Sequence, residues 1–213
     1  MSFKTDTWAL QAETLIRKLK ERGMDAVYYA TGAEAREAIL AELPDGAVVT
    51  WGGCMTIEEI GLAEAIRTSA RLNFLDRSKA ATPQERRELY ARQTLSDYFF
   101  LSANAISMDG QLVNIDGSGG RVACLITGPE HVYVVCGMNK VAPDLDSALK
   151  RARNVAAPIN NLRLGKEHYC TKRGQCGDCM ASDCICNQIV ITRRNSGAPG
   201  RIKVVLIGEE LGY

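Results

Sequence analysis

Cys170, Cys176, Cys179, Cys184 and Cys186 lie in one short polar stretch and make up five of the chain's eight cysteines. Thiolates at this spacing, in a glycine-containing loop, are the donors that a soft metal ion or an iron–sulfur cluster requires. Cys176 and Cys179 form a Cys-x-x-Cys pair, which lets two sulfurs converge on one centre from a tight turn. Cys170 and the Cys184/Cys186 pair flank it. Four thiolates satisfy tetrahedral zinc or a [4Fe–4S] cluster. A zinc ribbon prefers two separated Cys-x-x-Cys knuckles, and only one is present. The stretch therefore favours [4Fe–4S], with zinc as the alternative. Alternate side chains of an extended Cys-x-Cys segment point apart, so Cys184 and Cys186 are not expected to bind the same centre together. Cys186 is the favoured fourth ligand and Cys184 its alternative. Lys166, Lys172 and Arg173 either offset thiolate charge or are solvated loop charges.

Three further stretches carry polar groups at suggestive positions. Gly52, Gly53, Cys54 and Thr56 read as a glycine turn between a strand and a helix. Its backbone permits close approach, and a helix start attracts anions. Cys54 placed there is expected to have a lowered pKa. A capping box made by Thr56 and Glu59 is the competing explanation. The phosphate-loop pattern Gly-x-x-x-x-Gly-Lys-Ser/Thr and the dinucleotide pattern Gly-x-Gly-x-x-Gly are both missing, so neither ATP nor a dinucleotide is supported. Asn114 and Asp116 share one side of a strand, and Arg121 follows a glycine-rich turn. An amide, a carboxylate and a guanidinium so grouped can grip a small carboxylate or phosphate, or merely build a turn and a surface ion pair. Lys140 follows a buried strand, where ligands of α/β sheets usually bind, although an exposed loop lysine is the default reading. The expected anion or substrate set is thus Gly52, Gly53, Cys54, Thr56, Asn114, Asp116, Arg121 and Lys140. No catalytic residue is identified; His131 and His168, the only histidines, read as structural.

The elements that position these groups alternate. A helix is expected over Asp6–Arg22, with Leu10, Leu15, Ile16 and Leu19 on its apolar face. Strand Ala26–Ala30, helix Ala33–Leu43, strand Ala47–Trp51, a helix from Thr56 and strand Leu72–Leu75 follow. Thr82, Pro83 and Glu85 supply three helix-start signals together. Then come strand Tyr98–Leu101, a hairpin about Asp109–Gly110 and strand Val132–Cys136. Asp144 caps a helix with Leu145, Ala148, Leu149, Ala152 and Val155 on one face, expected to stop at Pro158. Strands Gln188–Thr192 and Ile202–Ile207 close the chain. This order argues for an α/β fold with a mostly parallel sheet flanked by helices. The hairpin and a cysteine-rich metal loop within residues 166–187 are additions to one domain spanning 1–213. Cys124 and Cys136 lie in apolar runs and read as inert core residues.

Composition sets outer bounds. With 213 residues, 46% hydrophobic and 24% charged, the chain can bury one substantial core. Its net charge of +1 gives no case for a nucleic-acid or membrane partner. Residues 1–7 carry no apolar signal-peptide stretch, and a cytoplasmic address is expected. There, clustered cysteines are metal ligands rather than disulfides.

Trp51–Thr56, Asn104 through Gly110, Asn114–Gly117, Arg121–Val122 and Gly137–Lys140 together resemble the LUD (lactate utilisation, DUF162) family. The cysteine tail, followed by Thr192–Arg194 and the start of the last strand, is similar to stand-alone members with a cysteine-rich end. The resemblance implies a NagB/RpiA/CoA-transferase-like fold and an association with oxidation of L-lactate to pyruvate by iron–sulfur systems, with possible partner redox subunits. Position 54 holds Cys where Ser is usual, which leaves a cap or anion-loop role. No ferredoxin-like run of cysteines is present, so several clusters are not expected. Three functions compete: a redox-associated lactate or organic-acid protein with one cluster, an isomerase- or transferase-like enzyme with a structural metal loop, and a non-catalytic zinc-stapled assembly module.

Overall fold

The computed structural model describes residues 2–213. Its first half alternates as the spacing predicts: α1 (Phe3–Glu21), β1 (Asp25–Tyr29), α2 (Gly32–Glu42), β2 (Val48–Trp51), α3 (Met55–Glu59), α4 (Leu62–Arg67), β3 (Asn73–Phe74), α5 (Pro83–Thr94) and β4 (Tyr98–Leu101). The second half holds β5 (Ala105–Ser107), β6 (Leu112–Asp116), α6 (Gly120–Ile126), β7 (His131–Gly137), β8 (Val141–Ala142), α7 (Leu145–Arg151), α8 (Ala157–Arg163), α9 (Tyr169–Arg173), β9 (Gln188–Thr192) and β10 (Ile202–Ile207). Caps fix the helix starts. At α5 the Glu85 N–H donates to Thr82 Oγ1 at 3.2 Å, and Glu85 Oε2 accepts from the Thr82 N–H at 2.9 Å. Two otherwise orphaned donors are satisfied reciprocally.

Six strands form one parallel sheet in the order β1-β10-β7-β4-β2-β3. Its inner strands β10, β7, β4 and β2 are buried on both faces, so they read as near-continuous apolar runs. The period of two still sorts them. Trp51, Phe100, Tyr133, Val135, Val205 and Ile207 pack beneath α2, α3 and α4. Phe99, Leu101, Val132, Val134, Val204 and Leu206 pack beneath α1 on the other face. Adjacent Phe99 and Phe100 therefore enter different cores, and truncating either to Ala costs about 3–5 kcal/mol. On α1 the buried residues are Ala12, Leu15 and Leu19, while Leu10, expected on that face, is exposed. The helix begins three residues earlier than expected, and its buried stripe is narrower than the apolar pattern suggests.

A second sheet, ordered β8-β5-β6-β9, contains the hairpin, with β5 and β6 antiparallel and β6 and β9 antiparallel. The last two strands thus join different sheets. The helix after Asp144 does not stop at Pro158. Between α7 and α8 the chain makes a wide π turn over Ala152–Ala156, and Pro158 sits in the first turn of α8. The missing proline N–H is harmless where the i→i−4 ladder is already opened. This arm covers Ala105, Val113 and Ile115 of the second sheet through Ala148, Ala152 and Ala157.

Candidate functional site

The carboxyl ends of β2, β4 and β7, neighbours in the sheet, form the floor of a cleft of about 720 Å³. They deliver Gly52–Cys54, Ser102–Asn104 and Lys140 to one place. This is where open α/β sheets bind ligands, because the strand ends leave backbone and loop groups facing outward.

Arg121 braces one wall. Its Nε donates to Asp116 Oδ2 at 3.3 Å and Nη1 to the Ser102 carbonyl at 2.8 Å. Nη2 donates to the Ile115 carbonyl at 2.6 Å and to Asn104 Oδ1 at 3.3 Å. Asp116 in turn accepts the Gly119 N–H at 2.8 Å and the Ser118 N–H at 3.1 Å, holding the glycine turn before α6. Most of the guanidinium's hydrogen-bonding capacity is thus spent on protein oxygens.

Lys140 lies deeper, 3% exposed. Its Nζ meets Ser102 Oγ at 2.9 Å and Thr56 Oγ1 at 3.2 Å. Burial pushes its pKa down, and the Arg151 and Arg121 charges push the same way, against the pull of the Cys136 and Cys54 thiols. Ser102 Oγ also lies 3.2 Å from Cys136 Sγ, so Cys136 is a polar neighbour of the site rather than only core.

The cysteine segment adjoins the wall that Arg121 braces, with Cys184 and Ile185 lining the cleft and Ile185 close against Gly117. Asn187 Nδ2 donates to the Gly117 carbonyl at 2.8 Å and ties the segment to the turn after β6. Its two ends are clasped by His168, whose Nδ1 lies 3.1 Å from Asn161 Oδ1 and whose Nε2 lies 2.6 Å from Asp183 Oδ1. Lys166 joins the clasp at 2.6 Å from Asp183, and the hydrogen bonds from Lys166 and His168 hold that carboxyl down at about 2. Cys170 is buried on α9. The wide turn between α7 and α8 presents Arg153 Nη2 to Cys176 Sγ at 3.5 Å and Asn154 Oδ1 to the Cys176 N–H at 3.2 Å. Burial, then the nearby Cys184 thiol, pushes Cys186 up to about 12, with Cys176 and Cys170 adding to the opposition. Burial raises the Cys170 pKa as well, with Cys179 and then Cys176 adding to it. Thiols that oppose one another's ionisation are the donor chemistry a cationic metal centre relieves. Among the described residues, no three such donors already converge on one metal position.

Residues 12–207 match the family model of the LUD domain. The chain belongs to the LUD-domain family. A DUF162 family protein from Deinococcus radiodurans superposes over 94% of this chain and 98% of its own, with a TM-score of 0.56 at 12% identity, which shows a shared fold. Ribose 5-phosphate isomerase from Plasmodium falciparum overlaps 53% of this chain and 52% of its own, at 10% identity and a TM-score of 0.32, too slight a likeness to bear weight. No curated protein matches the chain.

In this LUD domain, Gly52, Gly53, Cys54, Asp116, Arg121 and Lys140 all line the cleft. Thr56 and Asn114 lie beneath it, fully buried. Asn114 Nδ2 donates to the Ser102 carbonyl at 3.0 Å, and its Oδ1 has no partner among the described residues. Thr56 does not cap α3. Cys54 occupies the N-cap position without a side-chain hydrogen bond, and Glu59 Oε2 instead accepts the Gly212 N–H at 2.6 Å. The lowered Cys54 pKa expected from a helix start is also corrected. Cys54 is buried, and desolvation raises its pKa against the pull of Lys140. Gly52 lies close under a side chain, since Arg121 packs on its Cα. Ser102, Gly212 and Tyr213 were not singled out in the sequence. Ser102 sits just past a strand end like Lys140, which is the one signal that pointed to it.

The described helices include none long and apolar enough to cross a membrane.

Proposed function

We propose that this LUD-domain protein serves lactate or related organic-acid oxidation. In this reading the cleft binds a small carboxylate, and Cys170, Cys176, Cys179 and Cys186 carry one [4Fe–4S] cluster. The observation that supports it is the shared cleft: the Lys140 floor and the Cys184–Ile185 wall face the same space. A bound cluster supplies one-electron transfer, and partner redox subunits would accept the electrons. The chain's own groups do the rest. Lys140, held by the Ser102 and Thr56 hydroxyls, faces the acid's C2 end, and Arg121 and Asp116 hold the glycine turn that shapes the wall. Arg153 and Asn154 orient Cys176 toward its centre.

Protein purified without oxygen tests this by iron and sulfide content, absorption spectrum and thermal stabilisation by lactate and pyruvate. About four irons per chain, a brown colour and stabilisation by either acid are expected. Colourless protein with one zinc per chain would overturn the cluster and favour the zinc-stapled alternative. Failure of both acids to stabilise the protein would overturn the organic-acid site.

A further inference from the structure

Lys140 is a buried amine, 3% exposed, and burial is the largest influence on its charge. Its two hydrogen-bond partners are hydroxyl oxygens. An ammonium has three N–H donors, whereas a free amine has two and a lone pair. Two oxygens match the donors of the amine and leave its lone pair unengaged. Burial and two nearby guanidiniums oppose a further positive charge, and desolvation keeps the Cys54 thiol protonated, so it supplies no compensating anion. A desolvated lysine beside other cations is the setting in which a lysine becomes a nucleophile.

Approach to that nitrogen is from the cleft, which Lys140 lines, because Gly212 packs closely against its other side. A Cβ at residue 212 would stand 3.0 Å from Lys140 Nζ and 3.0 Å from Thr56 Oγ1. Gly212 has φ +57, a left-handed conformation that side chains disfavour. Both space and backbone therefore keep this position bare, next to a nitrogen that lines the cleft.

We propose that Lys140 forms an imine with the carbonyl carbon of a small 2-oxo acid, a step that rests on the organic-acid reading of the cleft. The Nζ lone pair attacks C2, and the carbonyl π pair moves to oxygen, which takes up a proton. Nitrogen then loses a proton, giving a neutral carbinolamine. Protonation of the hydroxyl lets the C–O bond break, water leaves, and the nitrogen lone pair forms C=N. Ser102 and Thr56, both within hydrogen-bond reach of Nζ, relay these protons. Hydrolysis runs the same steps backward, and no oxidant or reductant is consumed. A 2-hydroxy acid cannot take this path, because it offers no carbonyl.

The test traps the imine in the full-length protein. Pyruvate is added near neutral pH, sodium borohydride reduces the imine, and intact mass and peptide mapping locate the adduct. One reduced pyruvyl group per chain is expected on Lys140, with none when lactate replaces pyruvate. Lys140→Arg, verified as folded by circular dichroism, is expected to lose it. The wild-type peptide map decides the matter even if that variant fails to fold. Labelling scattered over exposed lysines, or absent from Lys140, overturns the proposal. If pyruvate still raises the melting temperature, only the imine falls; if neither acid does and no adduct forms, the organic-acid reading falls with it.

Discussion

Arg121 lays its aliphatic stem on the bare Cα of Gly52: a Cβ there would stand 2.6 Å from Arg121 Cγ. Gly52→Ala must displace the stem of a side chain pinned at its far end by four hydrogen bonds. Overpacking of this kind costs about 1–3 kcal/mol. At Gly53 an added Cβ meets nothing within 4 Å, so Gly53→Ala is expected to change stability by less than about 0.5 kcal/mol. Urea unfolding midpoints of the two variants check the contrast.

Breaking the Arg121–Asp116 pair is expected to be far more damaging than breaking a surface pair. Their side chains are 13% and 8% exposed, so Arg121→Met strands a buried carboxylate and costs about 3–5 kcal/mol. Lys18→Met removes an exposed partner of Glu21 and is expected to cost under about 1 kcal/mol. Equal losses from the two substitutions in denaturant unfolding would contradict this assignment.

Acid should weaken the tie between α2 and β10. Burial pushes the Glu42 carboxyl up, but hydrogen bonds from Lys203 and Tyr133 outweigh it and hold its pKa below the ordinary value. The folded pKa is therefore lower than the unfolded one, roughly 4.3. The stabilisation is present above that unfolded value and is lost as pH falls through the folded pKa. Wild type should unfold at higher urea than Glu42→Gln near neutral pH, with the gap closing on acidification. A gap that widens toward low pH would reverse the sign of the shift.

The fourth ligand is open to direct measurement. Burial and then Cys184 raise the Cys186 pKa, with Cys176 and Cys170 adding to it. The Cys186 N–H donates to Cys184 Sγ at 3.3 Å, so the two do not point apart as an extended segment would place them; Cys184 also lines the cleft. Cys186→Ser is expected to lose bound metal and Cys184→Ser to keep it, read as metal per chain after anaerobic purification. The reverse result would make Cys184 the ligand.

Arg153→Gln removes the guanidinium facing Cys176 while leaving the thiol in place. Neighbours that orient a ligand typically contribute about 10–100-fold to metal affinity. A loss of that size is expected in competition with a chelator, with Arg153→Lys intermediate. Unchanged affinity would make Arg153 only the surface partner of Asp178.

Much of the fold was legible because its signals are local. The Thr82–Pro83–Glu85 helix start, the Asp109–Gly110 hairpin and the runs that became β9 and β10 depend on neighbours a few residues away. The helix stop expected at Pro158 failed for a reason that spacing cannot reveal: a wide turn upstream had already released the hydrogen bonds that a proline would break.

The sequence by itself determined which groups could do chemistry: five clustered thiols, a lysine at a strand end, and an arginine after a glycine turn. Only tertiary structure decided their states and neighbours. Packing put Asn114 and Thr56 under the floor and raised the Cys54 pKa where a helix start alone would lower it. It also brought Ser102 and Gly212 to Lys140 from distant parts of the chain. Desolvation and partner identity arise from long-range contacts, which residue types and spacing do not encode. For that reason the Cys170–Cys186 stretch was recognisable as a donor set in the sequence, while the lining of the Lys140 cleft by its Cys184 and Ile185 came only from the fold.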